Sequence, residues 1–108
     1  MREYEHITPR QFLEKFDNGE LKDDLVIDVR EPFEWDYYHL EETTLMPLQT
    51  IPSEMAALPR DKTIYVVCAH GVRSVTACRY LAGNGFDRLV NVLGGMAAIA
   101  SERGFAYD

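Results

Sequence analysis

Cys68-Ala69-His70-Gly71-Val72-Arg73-Ser74 gathers a thiol, an imidazole, a guanidinium and a hydroxyl into one short run. A cysteine reacts as its thiolate, and neighbouring cations or the amides of a helix start favour that form. Gly71 supplies a position where positive φ costs little, so the chain can curl around a bound ion. Arg73 brings a permanent cation with a forked donor set suited to an oxyanion, and His70 offers a further donor. The chemistry this implies is a nucleophilic thiol, Cys68, inside an anion-binding loop made by Ala69, His70, Gly71, Val72, Arg73 and Ser74. A cysteine at a strand end can also be no more than a small buried hydrophobe, but that reading leaves Gly71, Arg73 and Ser74 unexplained.

The elements around this run put it where ligands bind. Thr63-Ile64-Tyr65-Val66-Val67 is the clearest strand in the chain, and after the loop Val75, Cys78, Leu81 and Ala82 share one helical face up to Asn84-Gly85. A strand–loop–helix unit sets Cys68 at the carboxyl end of its strand, the side on which open α/β sheets take ligands. A helix beginning near Arg73 or Ser74 would turn its free amides toward the same point. Leu25 to Val29 reads as a strand that feeds a short helix over Glu31 to Trp35, and Thr44 to Leu48 as a short strand or sheet edge. Ile51 to Leu58 predicts a helix of about two turns between Pro52 and Pro59. Leu89 to Leu93 repeats the strand signature, Gly94-Gly95 breaks it, and Met96 to Arg103 predicts a last helix. Near the start, Thr8-Pro9-Arg10-Gln11 is a helix-capping pattern, followed by apolar Phe12, Leu13 and Phe16 and closed by Gly19. Strands alternating with helices, several of them continuous apolar runs, predict an α/β three-layer domain with a mostly parallel sheet and helices on both faces.

The chain has 108 residues, 46% hydrophobic and 27% charged, which suits one globular domain spanning residues 1–108. Its net charge of −7 comes without any block of Lys or Arg, which argues against a nucleic-acid backbone as partner. No apolar stretch approaches the length of a bilayer span and no secretory leader is recognisable, so no membrane partner and a cytoplasmic location are expected. Two cysteines are too few for a disulfide framework, so cysteine chemistry here should be catalytic or absent. Asp28 and Arg30, at a strand end, read as a structural pair that braces the fold. His39, among Tyr37, Tyr38 and Leu40, reads as a structural residue. Cys78 reads as core, nearly three helical turns from Cys68 and too far for a disulfide. Trp35, Tyr37 and Tyr38 read as core or pocket wall, and Glu3, Glu5 and His6 as a solvated end.

Val66 to Ser74 resembles the active-site loop of single-domain rhodaneses, commonly Cys-x-x-Gly-x-Arg-Ser. Upstream, Asp28-Val29-Arg30-Glu31-Pro32 is similar to a second signature of that family, with His39-Leu40 and Met46-Pro47-Leu48 at its later positions. Downstream, Gly85-Phe86 and Gly94-Gly95-Met96 fall at the expected places, so the likeness covers nearly the whole chain. The sequence departs from the pattern at Tyr38, Glu42-Thr43 and Ile99, where the family often has Gly, Gly-Ala and Trp. The resemblance implies a sulfurtransferase in which Cys68 takes sulfur from a small anionic donor such as thiosulfate, carries it as a persulfide, and yields it to cyanide, a small thiol or a thiol protein. It implies no metal and no organic cofactor. Two other readings share the architecture. Cys-dependent phosphatases and arsenate reductases resemble rhodaneses but have a longer loop than the Ala69-His70-Gly71-Val72 that separates Cys68 from Arg73 here. A non-catalytic binding or regulatory module would typically have lost the loop cysteine, which this chain keeps.

Overall fold

Ile64, Tyr65, Val66 and Val67 are β-branched or aromatic and all buried, and they form the strand on which the rest of the molecule is built. The structure is a computed structural model that describes residues 4–108. In it strands β1 (Glu5–Ile7), β2 (Leu25–Asp28), β3 (Thr44–Leu45), β4 (Ile64–Val67) and β5 (Leu89–Val92) alternate with helices α1 (Pro9–Asp17), α2 (Pro32–Tyr37), α3 (Ile51–Glu54), α4 (Arg73–Gly83) and α5 (Gly95–Glu102). The five strands make one sheet in the order β1-β5-β4-β2-β3, every pairing parallel.

The alternation of side chains along these strands divides the core into two layers. Ile27, Ile64, Val66 and Leu89 pack with Ala77, Cys78, Leu81 and Ala82 of α4 and with Ile51 of α3. Val26, Tyr65, Val67, Val90 and Val92 pack on the other face with Phe12 and Leu13 of α1 and Met96 and Ile99 of α5. The three-layer α/β architecture follows, and Ile99, one of the departures from the rhodanese pattern, is a fully buried member of the second layer. Among the described residues no helix is long and apolar enough to cross a membrane.

Several boundaries differ from the sequence expectations, each for a local reason. Glu5 and His6 are exposed, as expected of the start of the chain, but with Ile7 they form β1, in register with Val90, Asn91 and Val92, and His6 Nδ1 lies 3.1 Å from Asn91 Nδ2. Glu3 falls outside the described residues. The edge strand predicted over Thr44 to Leu48 stops at Leu45, because Pro47 has no N–H to continue the ladder; Met46 and Leu48 still donate to the carbonyls of Asp28 and Val29. The helix expected over Ile51 to Leu58 is α3 followed by a 3₁₀ turn at Met55–Ala57. Leu58, placed before Pro59, is extended, as the clash with a following proline ring demands. Glu42, another departure from that pattern, adopts φ 66°, a left-handed conformation that strains a side chain.

Candidate functional site

The chain leaves the carboxyl end of β4 and enters α4 through residues 68–72, and this short span wraps around one sulfur. Cys68 is 1% exposed. The Gly71 N–H donates to its Sγ at 3.0 Å, and the Ser74 Oγ, on the first turn of α4, lies 3.3 Å away on another side. Gly71 reaches this position with φ 97°, which a residue with a Cβ adopts only at a cost. No side chain caps α4, so its first-turn amides are left for a ligand or for water. Donors converging on the sulfur stabilise negative charge there, whether on a thiolate or on a sulfur bonded to it.

The back of the loop is held by α5. Met96 N–H donates to the Cys68 carbonyl at 2.7 Å and Ala97 N–H to the Ala69 carbonyl at 2.9 Å. A Cβ at Gly95 would run into the Cys68 carbonyl and come within 2.7 Å of the Ala69 carbonyl. The start of α5 therefore takes the loop's carbonyls, and the approach is close enough that only glycine fits.

Arg73 occupies the place the sequence gives it, but its guanidinium is already engaged. Nη1 and Nη2 donate to Glu34 Oε1 and Oε2 at 2.7 and 2.8 Å. Arg73's bidentate grip lowers the Glu34 carboxyl to about 2 from its ordinary 4.5, against the opposing effect of burial; the same hydrogen bonds raise Arg73. Glu34 Oε1 also accepts the N–H of Glu31, closing the cap of α2. Arg73 thus ties the loop to α2, and its fork is not open to a ligand while Glu34 holds it. His70 points along the rim, its Nε2 2.7 Å from Asp108 Oδ2, and Val72 is exposed on the outer side of the loop.

A family model described as Rhodanese-like domain matches residues 8–102. The chain belongs to that family. It is 38% identical over 98 residues to the probable adenylyltransferase/sulfurtransferase MoeZ of Mycobacterium tuberculosis, matching 89% of this chain but only 24% of that much longer protein. It is 30% identical over 95 residues to the thiosulfate sulfurtransferase GlpE of Pseudomonas syringae, covering 88% of this chain and 86% of the relative. Among solved structures, a rhodanese-like domain protein from Staphylococcus aureus superposes with a TM-score of 0.80 at 36% identity, covering 88% of this chain and 90% of the other.

Within this rhodanese-like domain, Asp28 and Arg30 form an ion pair buried on both sides. Arg30 Nε and Nη2 donate to the Asp28 carboxylate at 2.9 and 2.7 Å, and further bonds reach the Tyr38 and Glu34 carbonyls at 2.7 and 3.2 Å and the Tyr107 hydroxyl at 2.8 Å. α2 has no buried residue of its own, so this one guanidinium fastens it to the end of β2. His39 Nδ1–H donates to the Trp35 carbonyl at 2.7 Å, and its ring stacks on that of Trp35 at 3.7 Å.

Two sequence expectations need correction here. Because α4 starts only at Arg73, Cys78 is not nearly three turns from Cys68; it packs in the same core layer. Burial, reinforced by the charge of Cys68, pushes the Cys78 thiol up to about 12, and both cysteines are free. Of the aromatic residues expected in the core or a pocket wall, Tyr38 is half-buried against the second core layer, whereas Tyr37 is exposed. They meet Phe105 and Tyr107 of the segment that follows α5. Among the described residues no cluster of three His, Cys, Asp or Glu side chains is placed to hold a metal ion. The residues that sequence reasoning missed are Glu34, Gly95 and Tyr107, whose roles arise from contacts between distant parts of the chain.

Proposed function

We propose that the chain is a sulfurtransferase that moves sulfane sulfur through a persulfide on Cys68. The observation that carries this reading is the convergence of the Gly71 amide and the Ser74 hydroxyl on the Cys68 sulfur at 3.0 and 3.3 Å, at the open start of α4. With thiosulfate as donor, the Cys68 thiolate attacks the outer sulfur, a new S–S bond forms, and the old one breaks with its electron pair leaving on sulfite. A nucleophilic acceptor then attacks the terminal sulfur and Cys68 departs as thiolate, so the cycle needs no external oxidant or reductant. Cyanide would leave as thiocyanate, and a small or protein thiol as a persulfide. The loop donors support charge on the sulfur at both stages, the kind of preorganised stabilisation that acts where charge develops. Ala69, His70, Gly71, Val72, Arg73 and Ser74 form the donor-binding loop in this reading, with Arg73 acting through its tie to Glu34, and Asp28 and Arg30 brace α2 beside it. The likeness to GlpE, described as a thiosulfate sulfurtransferase, supports thiosulfate as the first donor to try.

The direct assay is thiocyanate formation from thiosulfate and cyanide by the protein and by Cys68→Ser. The reading expects turnover that the substitution removes. Turnover that persists in Cys68→Ser, or hydrolysis of an aryl phosphate in place of any sulfur transfer, would overturn it.

A further inference from the structure

The segment after α5 lies beyond the span matched by the family model, residues 8–102, yet it is fastened to the mouth of the site. Gly104 turns the chain with φ 79° and Phe105 N–H donates to the Ala100 carbonyl at 2.8 Å. The Phe105 ring then stacks on Tyr38 at 4.8 Å. Tyr107 sits against Tyr37 at 5.7 Å and against His70 at 6.1 Å, its hydroxyl accepts from buried Arg30 at 2.8 Å, and its carbonyl accepts from the Tyr37 hydroxyl at 3.2 Å. Asp108 ends the crossing at His70 Nε2, 2.7 Å away, two residues along the loop from Cys68. The segment therefore runs from α5 over α2 and Arg30 to the sulfur loop.

We propose that residues 105–108 are a strap across the rim of the Cys68 loop that selects acceptors by size, with Tyr107 and the His70–Asp108 contact as its fastenings. Small nucleophiles pass beneath it, and bulky thiols reach the sulfur only when it lifts. The strap is built for release. It has no helix or strand of its own, Phe105 and Asp108 stay exposed, and its hold on the sulfur loop is a surface contact between two exposed side chains, His70 and Asp108, the profile of a segment end that opens locally at little cost. Its anchor is firm by contrast, because Arg30 is locked to Asp28, Glu34 and Tyr38 whether or not Tyr107 is present. The part of this inference that concerns acceptors rests on the sulfurtransferase reading; the part that concerns access to Cys68 does not.

The test follows alkylation of Cys68, assigned by peptide mapping, with iodoacetamide and with a maleimide carrying a polyethylene glycol chain. The protein is compared with a form ending at Gly104 and with a Tyr107→Phe/Asp108→Asn double variant, which keeps the test intact if the shortened form does not fold. Release of the strap is expected to raise the rate with the bulky reagent about tenfold while iodoacetamide changes by less than about twofold. A bulky-reagent rate that does not rise, or rates that rise equally for both reagents, would overturn the proposal. In a parallel measurement kcat/KM for glutathione should rise in the same variants while that for cyanide holds. Gated alkylation with no sulfur transfer to either acceptor would sink the sulfurtransferase reading and leave the strap standing; sulfur transfer with ungated alkylation would do the reverse.

Discussion

Cys68 and Cys78 are both buried, both free and both in the core layer beneath α4, yet their surroundings make them different chemical groups. Cys68 stands before the helix, where Gly71 has turned an amide inward and Ser74 brings a hydroxyl. Cys78 stands within the helix, where the backbone amides are committed to the helix itself and the neighbours are Ile, Val, Leu and Ala side chains. Burial, with the charge of Cys68 adding to it, pushes the Cys78 thiol up to about 12; burial among donors makes a place for charged sulfur. The difference lies in a few residues of backbone, and what holds that backbone is α5.

The comparison breaks most completely if α5 is forced away. Gly95→Ala puts a methyl group into the Cys68 and Ala69 carbonyls, at a residue whose φ of 61° already excludes most side chains. It should lower stability by about 2–4 kcal/mol and sulfur transfer by roughly a hundredfold, read by denaturant unfolding and by turnover. An unchanged turnover number would show that the loop does not depend on α5. Ser74→Ala removes one donor and leaves the backbone in place. It should reduce sulfur loading about tenfold, at the low end for deletion of a single preorganised donor, with little change in melting temperature. Cys78→Ala tests the other side: a loss of about 1–2 kcal/mol from the vacated volume, and turnover within about threefold of wild type.

The smallest expected effect belongs to the Glu34–Arg73 pair. Glu34 titrates lower folded than unfolded, about 2 against 4.5, so its contribution to stability is complete above about pH 4.5 and fades as the pH falls toward 2. Glu34→Gln should therefore lose about 1 kcal/mol at neutral pH, a modest figure because Arg73 keeps a third of its side chain in water. The gap between variant and wild type should close below pH 4. A gap that stays constant down to pH 2 would show that the pair contributes nothing through its charge.

How much of this was legible in the sequence depends on how far apart the partners are. The sulfur loop could be read because strand, glycine and helix start are consecutive, so residues 63–74 hold the whole local logic. The sheet could be read for a similar reason, since β2, β4 and β5 are apolar runs of strand length. β1 could not: Glu5-His6-Ile7 is short and polar, and only the edge of β5 makes it a strand. The partner of Arg73 lies 39 residues earlier, Gly95 meets the Cys68 and Ala69 carbonyls only because β4 and β5 are neighbours in the sheet, and Tyr107 meets Arg30 across 77 residues. Nothing in the local pattern around Glu34, Gly95 or Tyr107 announces those contacts. Cys78 was set nearly three turns from Cys68 by counting every residue between them as helix, although the helix start read near Arg73 or Ser74, where the structure has it, leaves the residues before it as loop.

The most direct test of the central claim is intact mass spectrometry after incubation with thiosulfate, on wild type, Cys68→Ser and Cys78→Ser. The account predicts a gain of one sulfur, about 32 Da, in wild type and Cys78→Ser, absent in Cys68→Ser and discharged by cyanide. Sulfur retained in Cys68→Ser, or lost in Cys78→Ser, would contradict it.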